Sequence, residues 1–417
     1  MSAPTVEQLL DERIDARHRG FGAVAGGLAV GELGAQGYDL RRGDLPLPLL
    51  VLRRYALEHN LRAMQAWCDA RGLALAPHGK TAMAPQLMRR QLEAGAWGLT
   101  AATVQQVAVM RAAGARRVIL ANQLVDAAAI GWLERERAAD DRFEAYCLVD
   151  SAAAVAQLDA GLAAARSTAP LAVLIELGGA RAGCRTDATA HTVAAAVAAA
   201  PRLALAGVEG YEGTLGADRE PRTLAAVDAL LDRMRALTLD LDGRGAFTGA
   251  REILVTAGGS ALFDRVAERL RVPEPLSRPL RVVVRAGCYV THDDGHYARL
   301  SPLPELRPAL ELWARVLSCP QRGLAIAGFG KRDAPYDLGL PIVRRLLRDG
   351  APATADGVVV DALNDQHAML RDPLGALRVG DVLRCGISHP CTAFDKWSLI
   401  PVVDDADVVV DAVRTLF

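Results

Sequence analysis

From Pro46 onward, short β-type runs alternate with alanine-rich stretches long enough to cross back over a sheet, and eight such units follow one another in roughly 220 residues. That count and order predict an α/β fold built on a (β/α)8 TIM barrel. A second, mostly β domain is predicted after it. Near Ala267 the alanine content falls, and Pro273-Glu274-Pro275 and Pro279 punctuate the chain before short alternating strands begin. A doubly wound open sheet fits less well, because it needs fewer units and no GxGxxG follows the first strand.

The barrel strands are predicted at residues 49–52, 73–77, 97–100, 118–121, 143–149, 171–177, 203–209 and 252–256. Helices fill the gaps; in the first of them Leu61, Met64, Trp67 and Cys68 recur at helical spacing and mark its buried face. This places the barrel over residues 46–270 and the β domain over 271–417, with strands near 281–285, 310–317, 357–363 and 382–385. Residues 1–45 are expected to join the β domain or to cover the barrel.

The 417 residues can bury a large core, with 51% hydrophobic and 23% charged side chains. A net charge of −1 argues against electrostatic capture of nucleic acid or an anionic membrane, so a small-molecule partner is expected. No run approaches the roughly twenty apolar residues of a membrane span, and residues 1–19 are charged rather than signal-like, which points to the cytoplasm. Seven scattered cysteines without a CxxC argue against a disulfide framework and leave chemical or metal-binding roles.

In a barrel the reactive groups belong at the carboxyl ends of the strands, where the loops converge. Pro77-His78-Gly79-Lys80-Thr81 ends the second predicted strand and offers a lysine at the mouth of an apolar run. Partial desolvation there would lower the amine's pKa and suit it to attack a carbonyl or an aldehyde cofactor. Asn122, Arg181, Arg185 and Tyr211 end later strands. Gly258-Gly259-Ser260, just before a helix, can cradle a phosphate with backbone amides and a hydroxyl, although such a triplet is often only a turn. Gly287-Cys288-Tyr289 ends another strand and could close the cradle. A lysine together with a phosphate site suits pyridoxal phosphate. His389-Pro390-Cys391 puts an imidazole and a thiol on one side of an extended segment, a pair that suits zinc or another divalent cation. Two ligands leave positions open; His367 and Asp395 are ambiguous additions. Arg181 could face the cofactor's ring nitrogen.

The order of these motifs resembles the fold-type III pyridoxal phosphate enzymes, the alanine-racemase-like barrels, and within them the D-threonine aldolase and D-serine dehydratase group. The resemblance spans nearly the whole chain. It implies Lys80 as the Schiff-base lysine with Thr81 beside it, and His78 and Tyr211 as its catalytic neighbours. It also implies Gly258, Gly259, Ser260, Gly287, Cys288 and Tyr289 around the phosphate, Arg181 at the ring, and His389 with Cys391 as metal ligands. After Thr81 the chain reads Ala82-Met83-Ala84-Pro85, where many D-threonine aldolases carry histidine and lysine. That departure, and a cysteine at 391 where those aldolases tend to carry an acidic ligand, resemble the D-serine deaminase-like branch.

The implied reaction is a dehydration: D-serine displaces Lys80 from the aldehyde, the freed amine takes the α-proton, and the metal draws off the β-hydroxyl, giving pyruvate and ammonia. The alternative is retro-aldol cleavage of a D-3-hydroxy amino acid; a non-catalytic carrier of the cofactor stands further off. Related folds pair as head-to-tail homodimers, so a homodimer is expected here.

Overall fold

The computed structural model describes residues 3–216, 218–272 and 275–417; Pro273 and Glu274 of the proline-marked boundary lie outside the described residues. Two sheets organise the chain. Strand β1 (Leu49–Arg53) opens the second of them, while β2 (Ala74–Leu75), β3 (Leu99–Ala101), β4 (Arg117–Gln123) and β5 (Glu144–Val149) begin the first. They are followed there by β6 (Leu171–Leu177), β7 (Leu203–Gly210), β8 (Ile253–Ala257) and β9 (Leu280–Val284). All pairs among β2 to β9 are parallel, and a parallel bridge between His78 and Thr100 joins the two ends, so the eight strands close into a barrel.

The closed barrel bears out the predicted α/β class, but its strand membership differs by one unit. Leu49–Arg53, expected as the first barrel strand, pairs antiparallel with β10 (Leu310–Gln321) and parallel with β17 (Leu399–Val403) in the other sheet. The eighth barrel strand is β9, expected in the β domain. A run buried on both faces reads the same in a parallel barrel and in the middle of a mixed sheet, so periodicity alone does not separate them.

The second sheet is ten-stranded and largely antiparallel. It adds β11 (Leu324–Ala327), β12 (Ile342–Arg348), β13 (Ala351–Ala353), β14 (Val359–Leu363), β15 (Ala368–Arg371), β16 (Val382–Gly386) and β18 (Val409–Arg414). The N-terminal segment packs on its β18 edge: Asp39 bridges to Val408, and Arg414 pairs with Glu12. No helix among the described residues is long and apolar enough to cross a membrane.

Inside the barrel an apolar plug of Ala76, Ile119, Tyr146, Leu148, Leu174, Ala206, Leu254 and Val283 fills the lower layers. One pleat further toward the carboxyl ends, the inward positions turn polar: His78, Gln123, Glu176, Glu209, Thr256 and Arg285. This layer is the floor of the site.

Candidate active site at the carboxyl ends of the barrel

The floor is held by a buried ion pair. Arg285 donates to Glu209 at 2.5 Å, to the Gly210 carbonyl at 3.2 Å and to Thr256 Oγ1 at 2.9 Å. Burial pushes the Glu209 carboxyl up to about 7 against the pull of Arg285, and its second oxygen, Oε2, has no partner. Gln123 donates to Glu176 at 2.5 Å, and burial raises that carboxyl as well. Removing one member of so enclosed a pair would strand the other, at a cost of roughly 3–5 kcal/mol.

From within this layer, His78 fixes the lysine loop. Its backbone N–H donates to Arg285 O at 3.1 Å, and the Pro77 carbonyl accepts from Thr100 N at 2.9 Å. Burial, then the Lys80 cation, hold the His78 imidazole well below its usual range, so it is neutral at pH 7 and its Nδ1 accepts from Lys80 N at 3.5 Å. Lys80 itself, in the turn Gly79–Thr81, is exposed at the mouth rather than desolvated, and among the described residues it forms no ion pair. The exposure follows from the turn, which carries the side chain past the end of the strand instead of into the apolar plug.

The loops after β7, β8 and β9 form one clasp. Tyr211 lies under the Arg181 guanidinium, 5.1 Å from the ring centre, and burial raises its phenol. Ser260 Oγ accepts from Cys288 N at 3.2 Å. The amides of Gly258 and Gly259 donate to the Glu212 carboxylate at 3.0 and 2.5 Å. A Cβ on Gly287 would lie 2.4 Å from His78 O, so only glycine lets this loop sit against the lysine loop. Tyr289 is placed differently from the other phosphate-loop residues, since it packs in the core and its hydroxyl accepts from Gln91 Nε2 at 3.2 Å. Arg181 is exposed, Arg185 folds back on its own loop carbonyls, and Asn122 donates to Ala102 O at 3.0 Å.

The sulfur cluster completes the site. Cys288, His389 and Cys391 bring their ligand atoms within 4.8 Å of one another, and no other such trio of His, Cys, Asp or Glu occurs among the described residues. The two Sγ atoms are 3.4 Å apart, near the roughly 3.8 Å bite of two thiolates on a tetrahedral zinc and well beyond the ~2.05 Å of a disulfide. Thr81 Oγ1 lies 3.4 Å from Cys391 Sγ and 3.6 Å from Cys288 Sγ, which binds the cluster to the lysine loop. Hydrogen bonds from Cys391 and from His389, Thr81 and Tyr297 outweigh burial and favour the Cys288 thiolate, while Cys391 holds its proton.

Asp337 sets the imidazole. His389 Nδ1 lies 2.7 Å from Asp337 Oδ2, and Thr392 donates to Oδ1 at 3.0 Å, so Nε2 is the ring nitrogen turned to the sulfurs, where a cation would take the place of its proton. Burial alone would depress the His389 imidazole, but the Cys288 sulfur and Asp337 raise it. Replacing Asp337 by alanine is expected to weaken metal binding about 10–100-fold, read by chelator competition, with the cofactor spectrum unchanged. His296 and Tyr297 flank His389 with ring centres 6.0 Å away, placed by Asp293, whose Oδ1 accepts from the amides of Gly295, Tyr297 and Ala298. His367 and Asp395 are exposed and stand outside the cluster.

Sequence reasoning grouped Arg285 and Cys288 with the phosphate loop, left His296 as a surface or packing residue, and overlooked Glu209, Glu212, Asp337 and Tyr297. Position at a strand end could have found Glu209; the others meet their partners only through the fold.

Two family models match in tandem, "Alanine racemase, N-terminal domain" over residues 52–258 and "Putative serine dehydratase domain" over residues 309–403. The chain belongs to the fold-type III pyridoxal phosphate enzymes. Among curated proteins, this fold-type III chain is 28% identical to a D-threonine aldolase of Arthrobacter sp, over 92% of its own length and 96% of the relative's. It is 25% identical to a 3-hydroxy-D-aspartate aldolase of Paracoccus denitrificans, over 85% and 89%. Among solved structures, D-threonine aldolase from Filomicrobium marinum superposes with a TM-score of 0.75 at 25% identity, over 91% and 96%. The residues fit the family's cofactor: Lys80 is exposed at the mouth, and the Ser260 hydroxyl, which accepts from Cys288 N, keeps its own proton to donate to an anion. Two sulfurs and an imidazole likewise form a donor set for a soft or borderline divalent cation.

Proposed function

We propose that this chain is a pyridoxal phosphate- and metal-dependent lyase of D-3-hydroxy amino acids, with Lys80 as the Schiff-base lysine and Cys288, His389 and Cys391 as metal ligands. The observation that carries this reading is the contact of Thr81, next to Lys80, with both cluster sulfurs. A substrate with its amino group at the lysine and its β-hydroxyl at the cluster would span the two. When bound, the cofactor takes up charge left at Cα, and a divalent cation draws charge from the β-oxygen.

The chain's own residues do the rest. The Lys80 amine exchanges a proton at the substrate, with neutral His78 behind it. Ser260 and the Gly287-Cys288 turn hold the phosphate, while Tyr211 and Arg181 border the ring. His296, kept below its usual range by burial and by the neighbouring His389, is a neutral imidazole that can accept the β-hydroxyl proton. Zinc is the cation that two sulfurs favour. A homodimer in the cytoplasm belongs to the same reading.

Carbon–carbon cleavage is the first reading of the reaction. The curated relatives at 28% and 25% identity are both aldolases, and a base at the β-hydroxyl suits cleavage better than loss of hydroxide. Dehydration of D-serine or a related substrate to a 2-oxo acid and ammonia is the second reading, favoured by a cysteine at 391 in place of an acidic ligand. The cofactor-loaded protein is to be assayed with D-threonine, D-3-hydroxyaspartate and D-serine, with and without chelator. Glycine plus an aldehyde from either of the first two, or from D-serine, lost on chelation, is the expected result. A 2-oxo acid and ammonia would establish the second reading, and turnover of none of the three would overturn the lyase assignment.

A further inference from the structure

The glycine loop after β8 is expected from its sequence to turn its amides to a phosphate, yet two of them are taken from within the chain. Glu212 is fully buried, and its two oxygens accept one hydrogen bond each, from Gly258 N at 3.0 Å and Gly259 N at 2.5 Å. Gly258 has a φ of +94°, the left-handed conformation that turns successive N–H groups toward one anion. Glu212 comes from the turn Glu212–Thr214, directly after Tyr211. From the β8 loop the chain of contacts continues, because Ser260 Oγ accepts from Cys288 N on the β9 loop at 3.2 Å. Three barrel loops are thus tied in series, with one carboxylate at the start.

Amides already donating to a carboxylate have no second proton to give, and a phosphate placed on the same pair would meet a like charge. We infer that Glu212 is a positioning residue for the cofactor's phosphate: it occupies the Gly258 and Gly259 amides, and in doing so sets the Ser260 hydroxyl, held in place by the Cys288 amide, as the donor to the phosphate. The Ser260 hydroxyl, which accepts from Cys288, still has its own proton to donate. The inference rests on the assignment of this loop to the phosphate, so its test separates the two.

The test compares pyridoxal phosphate with pyridoxal, which lacks the phosphate, by spectral titration of metal-loaded wild-type, Glu212→Gln and Glu212→Asp protein freed of cofactor. Glutamine keeps the shape but turns an NH2 on one of the two amides, while aspartate keeps the charge but falls short by a methylene. Both are expected to bind pyridoxal phosphate at least tenfold more weakly while binding pyridoxal as the wild type does. Bound phosphate in each variant should also give a shifted 31P resonance. Either folded variant with the wild-type ratio of the two affinities would overturn the role of Glu212. Equal affinity of the wild type for the two ligands would instead remove the phosphate from this loop.

Discussion

Replacing Lys80 by alanine is expected to abolish the visible absorbance of the bound cofactor's Schiff base and to lower turnover by about 10²–10⁴-fold, the range over which a positioned acid–base group contributes. Stability should hardly change. Lys80 is exposed, pairs with no carboxylate among the described residues, and sits in a turn whose backbone is fixed by His78 and Thr100 rather than by the lysine side chain. Exposed substitutions of this kind usually stay within about 0.5 kcal/mol. The variant therefore separates chemistry from folding: the melting temperature should match the wild type while borohydride no longer attaches the cofactor to the peptide. Retention of the absorbance band would move the Schiff base to another amine and remove the central assignment.

How much of this site is visible in the sequence depends on how far apart its members lie. Lys80, Tyr211 and Ser260 stand out because each interrupts an apolar run where a barrel strand ends, and a barrel collects such positions on one face, whereas His389 stands out only by its spacing to Cys391. Glu212 reads as an ordinary loop acid, since its partners lie 46 and 47 residues downstream. Asp337 is equally silent, being 52 residues from the histidine it orients. The fold shows the same division. Alternation of strand and helix gave the barrel, but Leu49–Arg53 was placed in it because nothing local tells a buried barrel strand from a buried strand of the second sheet. Closure by β9 depends on pairing with β2, more than 200 residues earlier, and no local pattern carries that information.

Converting Cys288 to serine tests how many protein ligands the metal has. In the reading drawn from sequence, His389 and Cys391 bind alone, so the variant would keep its metal; in the three-ligand reading it should lose affinity by more than the roughly 10–100-fold typical of outer-shell changes. Serine preserves the Cys288 amide that donates to Ser260, so the loop and its phosphate contacts should survive, and the absorbance of bound cofactor serves as the control. With cobalt in place of the native ion, the thiolate charge-transfer intensity should fall to about half, because one of two sulfurs has gone. Cys391→Ser should give a similar loss, and His389→Ala should keep that intensity per bound ion but weaken binding. The count matters for the chemistry. Two thiolates offset the charge of a divalent cation and leave a single tetrahedral position, as in a catalytic Cys2His site, so the cation is a milder Lewis acid and proton transfer to His296 has more to do. Wild-type metal affinity and undiminished charge transfer in Cys288→Ser would return the site to two protein ligands and give Cys288 to the cofactor alone.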